Sequence, residues 1–302
     1  MRLDWKGVFP AITTPFNADL RVDHAFLTEH ASWMVDNGVV GLVPAGSLGE
    51  GATLSAAEKR QILETCVRAV GSRVPVVPGV AALSTAEAVQ LARDAQTIGC
   101  EGLMVLPPYV YSTDWREMKA HVSAVLSATD LPCLLYNNPV AYRTDFVPEQ
   151  IAELAAEHPN LQAVKESSTD VRRVTAIRAL CGERLEVLMG VDDAILEGVD
   201  AGAAGWVAGL VNAFPAESVA LFRLARKGPR REALALYDWF LPLLRMDTVP
   251  KFVQLIKLVQ EGVGRGSARV RPPRLELDGG ELAAARATIE SALAARPRLA
   301  GT

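Results

Sequence analysis

The sequence predicts an α/β protein, a (β/α)8 TIM barrel with a C-terminal helical extension, on three observations. Short apolar or β-branched runs alternate with amphipathic stretches of helical length from residue 6 to about residue 226, without interruption. Eight such runs are present, and a spacing of about 27 residues per βα unit suits a closed parallel barrel. No glycine-rich turn follows a strand as a dinucleotide-binding sheet requires, because the GVGRG run at 262–266 follows a helical pattern.

The predicted strands are Gly7–Ile12, Val39–Pro44, Val74–Val80, Gly102–Leu106, Cys133–Asn137, Gln162–Glu166, Glu186–Gly190 and Gly205–Ala208. Between them, Ser55–Val70 reads as a helix opened by a capping box, with Glu58 three residues after Ser55. Asp114–Ala128, Pro148–Glu157 and Asp192–Ala201 follow the same periodicity, Pro148 suiting a first helical turn. Asp192 and Asp193, after the seventh strand on the barrel rim, are read as caps of their helix in preference to acids.

Residues 1–226 therefore form the expected barrel, and residues 227–302 a three-helix extension at Arg230–Leu244, Pro250–Glu261 and Gly280–Ala295. No Ser/Gly-rich linker separates the two. The apolar face carrying Phe252, Leu255, Ile256 and Val259 needs cover, so the extension should pack on the barrel as one unit or on a second subunit.

A net charge of −4 from 31 basic and 35 acidic residues, well mixed along the chain, argues against nucleic-acid or anionic-membrane partners. No apolar run reaches the roughly 20 residues of a membrane span, and MRLDWKGVFPAITTPF lacks a signal-peptide layout. A cytoplasmic protein acting on a small molecule is the expectation. Cys66, Cys100, Cys133 and Cys181 are scattered and read as reduced core thiols. His24, His30, His121 and His158 read as helical surface or helix ends, with no metal-ligand spacing, so no metal is expected.

In a closed βα barrel the reactive groups gather at the C-terminal ends of the strands. Polar residues are concentrated there in the turn from Gly46 to Glu50, in Pro107–Tyr111, in Tyr136-Asn137-Asn138-Pro139 and in Lys165-Glu166-Ser167-Ser168. Lys165 stands out: Lys59, Lys119, Lys251 and Lys257 read as helix surface, whereas Lys165 lies in an apolar strand, where an ammonium is costly. An amine held there suits attack on a carbonyl or imine carbon. Pairing with Glu166 is the plainer alternative, but adjacent strand residues point to opposite faces. Tyr136 suits proton transfer beside that lysine, or simple core packing. The Gly46-Ser47-Leu48-Gly49 turn can offer N–H groups and a hydroxyl to a carboxylate.

Together these segments resemble the dihydrodipicolinate synthase/N-acetylneuraminate lyase family over nearly the whole chain. The resemblance rests on G-x-x-x-x-x-x-T-P-F (Gly7–Phe16), G-[ST]-x-G-E (Gly46–Glu50), Y-N-x-P (Tyr136–Pro139) and K-E-S/A (Lys165–Ser167). It implies that Lys165 is the Schiff-base lysine, Tyr136 the proton-transfer tyrosine, and Ser47 with the Leu48 backbone the seat of the substrate α-carboxylate. It further implies a homotetramer assembled as a dimer of dimers.

The chain departs from the synthase pattern at the positions of the proton relay. The synthases carry two threonines in the turn and a tyrosine supplied by the neighbouring subunit; here stand Ser47 and Leu48, and Val110 between Tyr109 and Tyr111. Leu48 passes no proton, and shapes an apolar wall or only packs. The arginine expected soon after Y-N-x-P is displaced to Arg143. The stretches at 136–145, 165–173, 205–215 and 270–275 are similar to 1-pyrroline-4-hydroxy-2-carboxylate deaminases of hydroxyproline breakdown, which implies dehydration and deamination of a cyclic imine to 2-oxoglutarate semialdehyde.

A retro-aldolase on a 2-keto-3-deoxy sugar acid, a dihydrodipicolinate-synthase-like condensation and a non-catalytic keto-acid sensor remain the alternatives. No cofactor is expected, since the lysine supplies the electron sink. Asn138, Arg143 and Ser167 are the further substrate-binding candidates, beside Gly46.

Overall fold

The computed structural model describes residues 2–108 and 113–299. Its strands are β1 (Gly7–Pro10), β2 (Gly79–Val80), β3 (Leu103–Val105), β4 (Cys133–Asn137), β5 (Leu161–Glu166), β6 (Glu186–Met189) and β7 (Gly205–Ala208). They pair in parallel in the order β1-β7-β6-β5-β4-β3-β2. Residues 42 and 43 close the ring: Val43 N donates to Pro10 O at 2.8 Å, and Leu42 N to Pro75 O at 2.9 Å. The predicted barrel is present.

Two predicted strands contract the most. Val39–Pro44 contributes isolated bridges, and Val74–Val80 contracts to the two residues of β2. Pro44, Pro75 and Pro78 have no N–H to donate, so the ladder is interrupted where the apolar pattern continues.

Strands buried on both faces need helices outside and side chains filling the barrel inside. All five residues of β4 are buried, as are Phe9, Val164, Leu188 and Trp206 from neighbouring strands. Outside lie α1 (His24–Asp36), α2 (Ala56–Val70), α3 (Thr85–Ile98), α4 (Trp115–Leu126), α6 (Pro148–Glu157), α7 (Arg172–Cys181), α8 (Ile195–Asp200) and α9 (Pro215–Lys227), while the single turn α5 (Pro139–Tyr142) lies at the barrel mouth. The capping box of α2 forms as predicted, with Glu58 N donating to Ser55 Oγ at 3.2 Å and Ser55 N to the Glu58 carboxylate at 2.9 Å. α10 (Arg230–Leu244), α11 (Phe252–Gly262) and α12 (Gly279–Ala294) follow. Ile256 and Val259 of α11 are fully buried. Among the described residues no helix is long and apolar enough to cross a membrane.

Three readings of polar residues are corrected. Lys257 is not on the helix surface, because it is buried and paired with Glu50. His30 and His121 are buried rather than superficial: His30 Nε2 lies 3.3 Å from Asn212 Oδ1, and His121 Nδ1 lies 3.0 Å from Thr85 Oγ1. The segment at 192–201 begins with a 3-10 turn and becomes α8 only at Ile195, and neither Asp192 nor Asp193 caps it through its side chain. Cys66, Cys100 and Cys133 are buried free thiols, and burial pushes each up to about 12.

Candidate active site

Counting around the ring, the segment that leads into Ser47 lies four positions from β5, so Ser47 and Lys165 stand on opposite sides of the barrel mouth. β4 occupies one flank of Lys165, and β6 with β7 the other. The site is organised on these two flanks.

Lys165 is the penultimate residue of β5, opposite Tyr136 in the β4–β5 register, and only 6% exposed. Its ammonium sits 4.2 Å from the centre of the Tyr136 ring. Glu166 turns the other way: its carboxylate accepts from Ser168 N at 2.6 Å and from Asn137 Nδ2 at 3.1 Å. Burial raises the Glu166 pKa while those bonds pull against it. The plain Lys165–Glu166 pair does not form.

Gly190, just past β6, makes room for the lysine. A Cβ at this position would overlap Ser167 Oγ and lie 2.5 Å from Lys165 Cε. Ser167 Oγ is buried there without a hydrogen-bond partner. A buried hydroxyl without a partner is costly, and a bound substrate atom would relieve it.

On the β4 flank, the Tyr136 hydroxyl accepts from Asn138 Nδ2 at 2.9 Å. Asn138 Oδ1 in turn accepts from Ala141 N at 3.0 Å, capping α5. Asn138 is followed by Pro139 at the first helical position, so the chain turns at once and carries Tyr142 back over the mouth. The Tyr142 ring meets Tyr136 edge to face at 5.7 Å, and its hydroxyl is hydrogen-bonded to Ser47 Oγ. Tyr142 could not be singled out from the sequence because α5 is too short to leave a periodic pattern. Arg143 ends α5 in the left-handed region, φ 62°, and is exposed.

The Ser47 turn is held from below. Gly46 O accepts from Gly51 N at 3.0 Å, and Gly49 O accepts from Thr14 Oγ1 at 2.6 Å. Leu48 is buried. Glu50, fully buried at φ 55°, accepts from Lys257 Nζ at 2.5 Å and from Arg271 N at 3.0 Å.

On the other flank, Asp192 is fully buried and accepts from Trp206 Nε1 at 2.9 Å, Gly209 N at 3.1 Å and Leu210 N at 2.9 Å. Burial raises its pKa, and the Lys165 charge works against that rise. Asp247, between α10 and α11, lies beside it: burial of its carboxyl first, then the Asp192 charge, raises its pKa well above the ordinary carboxylate value. Asp192 is expected on this rim as a helix cap, and Asp247 is not expected here. Among the described residues no group of His, Cys, Asp and Glu is arranged to hold a metal ion. Tyr109, Val110 and Tyr111 lie outside the described residues.

A lysine at the end of an apolar strand, a tyrosine across its ammonium and a glycine-rich turn with a hydroxyl opposite form a constellation suited to imine chemistry. The profile of the dihydrodipicolinate synthetase family matches residues 4–292. The chain belongs to this family. A 4-hydroxy-tetrahydrodipicolinate synthase of Rhizobium meliloti is 34% identical over 272 residues, 90% of this chain and 92% of that protein. A dihydrodipicolinate synthase of Bacillus anthracis superposes with a TM-score of 0.92 at 26% identity, covering 98% of this chain and 100% of that one. A prophage protein of the family from E. coli K12, solved in complex with pyruvate, gives a TM-score of 0.90 at 26% identity, over 96% and 99% of the two chains. As a family member, the chain is a Schiff-base lyase of the class I aldolase type on a TIM-barrel-like fold.

Proposed function

We propose that this lyase dehydrates and deaminates 1-pyrroline-4-hydroxy-2-carboxylate to 2-oxoglutarate semialdehyde, with Lys165 as the Schiff-base residue. The observation that carries the reading is the hydrogen bond between Tyr142 and Ser47, beside the buried Leu48. An aldol condensation needs a second carbonyl compound and a hydroxyl relay to serve it. Here one relay position is a leucine, and the remaining turn hydroxyl is engaged by a tyrosine of the same chain. A cyclic imine arrives as one molecule and has no such requirement.

The substrate carboxylate binds the Ser47 turn, with the Leu48 N–H and the Gly46 backbone beside it. Lys165 adds to C2 across the mouth, and Tyr136 delivers a proton to the departing ring nitrogen, which opens the ring. Loss of a C3 proton gives an enamine, which expels the C4 hydroxyl as water. Transfer of a proton from C5 to C3 then gives an enamine at C4–C5, which tautomerises to a terminal imine. Hydrolysis of both imines frees ammonia, the semialdehyde and Lys165, with net consumption of one water. Asn138 orients Tyr136, and Ser167 supplies a hydroxyl next to the reacting carbon. Exposed Arg143 contributes charge at the rim.

The same reading takes residues 1–226 and 227–302 as one working unit, in a cytoplasmic homotetramer. Sedimentation of the purified chain tests the assembly. For the reaction, borohydride reduction with pyruvate and separately with the cyclic imine, followed by peptide mass spectrometry, should place an adduct on Lys165, and the imine alone should release ammonia. An adduct with pyruvate and no ammonia from the imine would shift the assignment to an aldolase. Failure to trap any adduct would remove Lys165 from the chemistry.

A further inference from the structure

Asp192 and Asp247 come from separate parts of the chain and meet over Gly209. Asp192 accepts the Gly209 N–H, whereas Asp247 Oδ1 occupies the space that a Cβ on Gly209 would need. Only a glycine lets both carboxylates occupy this corner.

Their surroundings differ. Asp192 receives three N–H donors, from Trp206, Gly209 and Leu210, which favour its charged form. Asp247 receives no hydrogen bond from any described residue and remains partly exposed. Two neighbouring carboxylates in unequal surroundings separate into one that holds charge and one that holds a proton. Asp247 is the one left with the proton. The charged groups that bear on it are Lys165 from β5, Asp192 and Asp193.

The direction of the substrate follows from what is already filled. With its carboxylate at Ser47 and C2 at Lys165, its remaining carbons cannot run along the β4 flank, which Tyr136 and Tyr142 occupy. They run toward β6 and β7. The unpartnered Ser167 hydroxyl, buried against Gly190 beside Lys165, marks the start of that path.

We infer that Asp247, set against ionised Asp192 on the flank opposite Tyr136, is the general acid that protonates the departing C4 hydroxyl. This rests on the deaminase reading. The Asp247 proton passes to the C4 oxygen, and the C–O bond breaks with its electron pair to release water. The enamine π electrons form the C3–C4 double bond as the nitrogen lone pair restores the iminium. The Asp247 carboxylate then takes a proton from C5, which regenerates the acid, and the C5 electron pair passes through the C3–C4 bond to the iminium nitrogen. Protonation of this dienamine at C3 by solvent, and transfer of a proton from the C5 amino group to C4, then give the terminal imine. Asp192 is a positioning residue that keeps the proton on its neighbour.

The test is Asp247→Asn, which keeps the shape and removes the transferable proton. With the cyclic imine, ammonia release should fall by about 100-fold or more, in the range of lost general acid catalysis. Borohydride should then trap on Lys165 a ring-opened adduct that still carries the hydroxyl, heavier by one water than the dehydrated adduct. Pyruvate should be trapped as in the wild type, which reports an intact Lys165 site, and Asp247→Glu should recover part of the rate. An Asp247→Asn enzyme that releases ammonia at the wild-type rate overturns the acid role alone. The acid role also falls if the variant loses the pyruvate adduct and Asp247→Glu does not restore it. A wild-type enzyme that forms no ammonia from the imine removes the deaminase reading, and the acid role with it.

Discussion

Lys257 and Glu50 form a salt bridge of 2.5 Å in which the side chains are 2% and 0% exposed. It ties α11 to the turn that carries Ser47. Lys257 also donates to Arg269 O at 2.7 Å, so its ammonium is bonded on two sides. Removing Lys257 would leave buried Glu50 with the longer ion pair to Arg274, at 3.9 Å, and breaking a buried pair costs about 3–5 kcal/mol. Lys257→Met should therefore lower the melting temperature sharply and, because Glu50 sits three residues after Ser47, raise KM more than it lowers kcat. The double variant Lys257→Met with Glu50→Gln should recover part of the loss in thermal unfolding. If the single variant melts with the wild type, the pair is not what holds the turn.

Gly190→Ala probes the lysine's own space. The new methyl would overlap Ser167 Oγ and fall 2.5 Å from Lys165 Cε, so both side chains must move. Overpacking of this kind costs about 1–3 kcal/mol. The fold should survive with reduced stability, while borohydride trapping at Lys165 becomes slow. Trapping at the wild-type rate would mean that Lys165 reacts without needing the space that Gly190 leaves.

Tyr142→Phe keeps the edge-to-face contact with Tyr136 and removes the hydroxyl bonded to Ser47. Loss of one hydrogen bond of about 1 kcal/mol corresponds to a fall of about five-fold in kcat/KM. Schiff-base formation with pyruvate should continue. An unchanged kcat/KM for the cyclic imine would show that Ser47 works without this partner.

Lys165, Tyr136 and Ser47 were legible because each breaks a local rule at a strand end: an amine in an apolar run, a phenol before Asn-Asn-Pro, a hydroxyl between glycines. Lys257 was misread for the complementary reason. A lysine on an amphipathic helix is solvated by default, and its partner stands 207 residues away in the chain. Asp192 likewise has the local look of a cap, yet its donors come from the neighbouring strand β7 and the turn that follows it, at Trp206, Gly209 and Leu210. Periodicity reports which face is apolar, but not which distant group a polar residue will meet. The strand closing the ring through residues 42 and 43 was readable as an apolar run, and its shortened ladder reflects the nearby prolines.

His30 gives the molecule a pH-dependent stability separate from the chemistry. It is fully buried between Phe26 and Trp33, with Nε2 also 3.3 Å from Gln260 Nε2 and Nδ1 unpartnered. Burial lowers its pKa from 6.5 to about 4, against the opposing bond to Asn212 and with help from the Arg265 charge. Between those two values the unfolded chain binds a proton that the folded chain refuses, so stability rises with pH. The contribution is fully present above about pH 6.5 and is lost as pH falls toward 4, to a total of about 3 kcal/mol. Urea unfolding of the wild type and of His30→Gln at a series of pH values measures it. The wild type should lose stability more steeply than the variant across this window, and parallel curves would show that His30 does not titrate there.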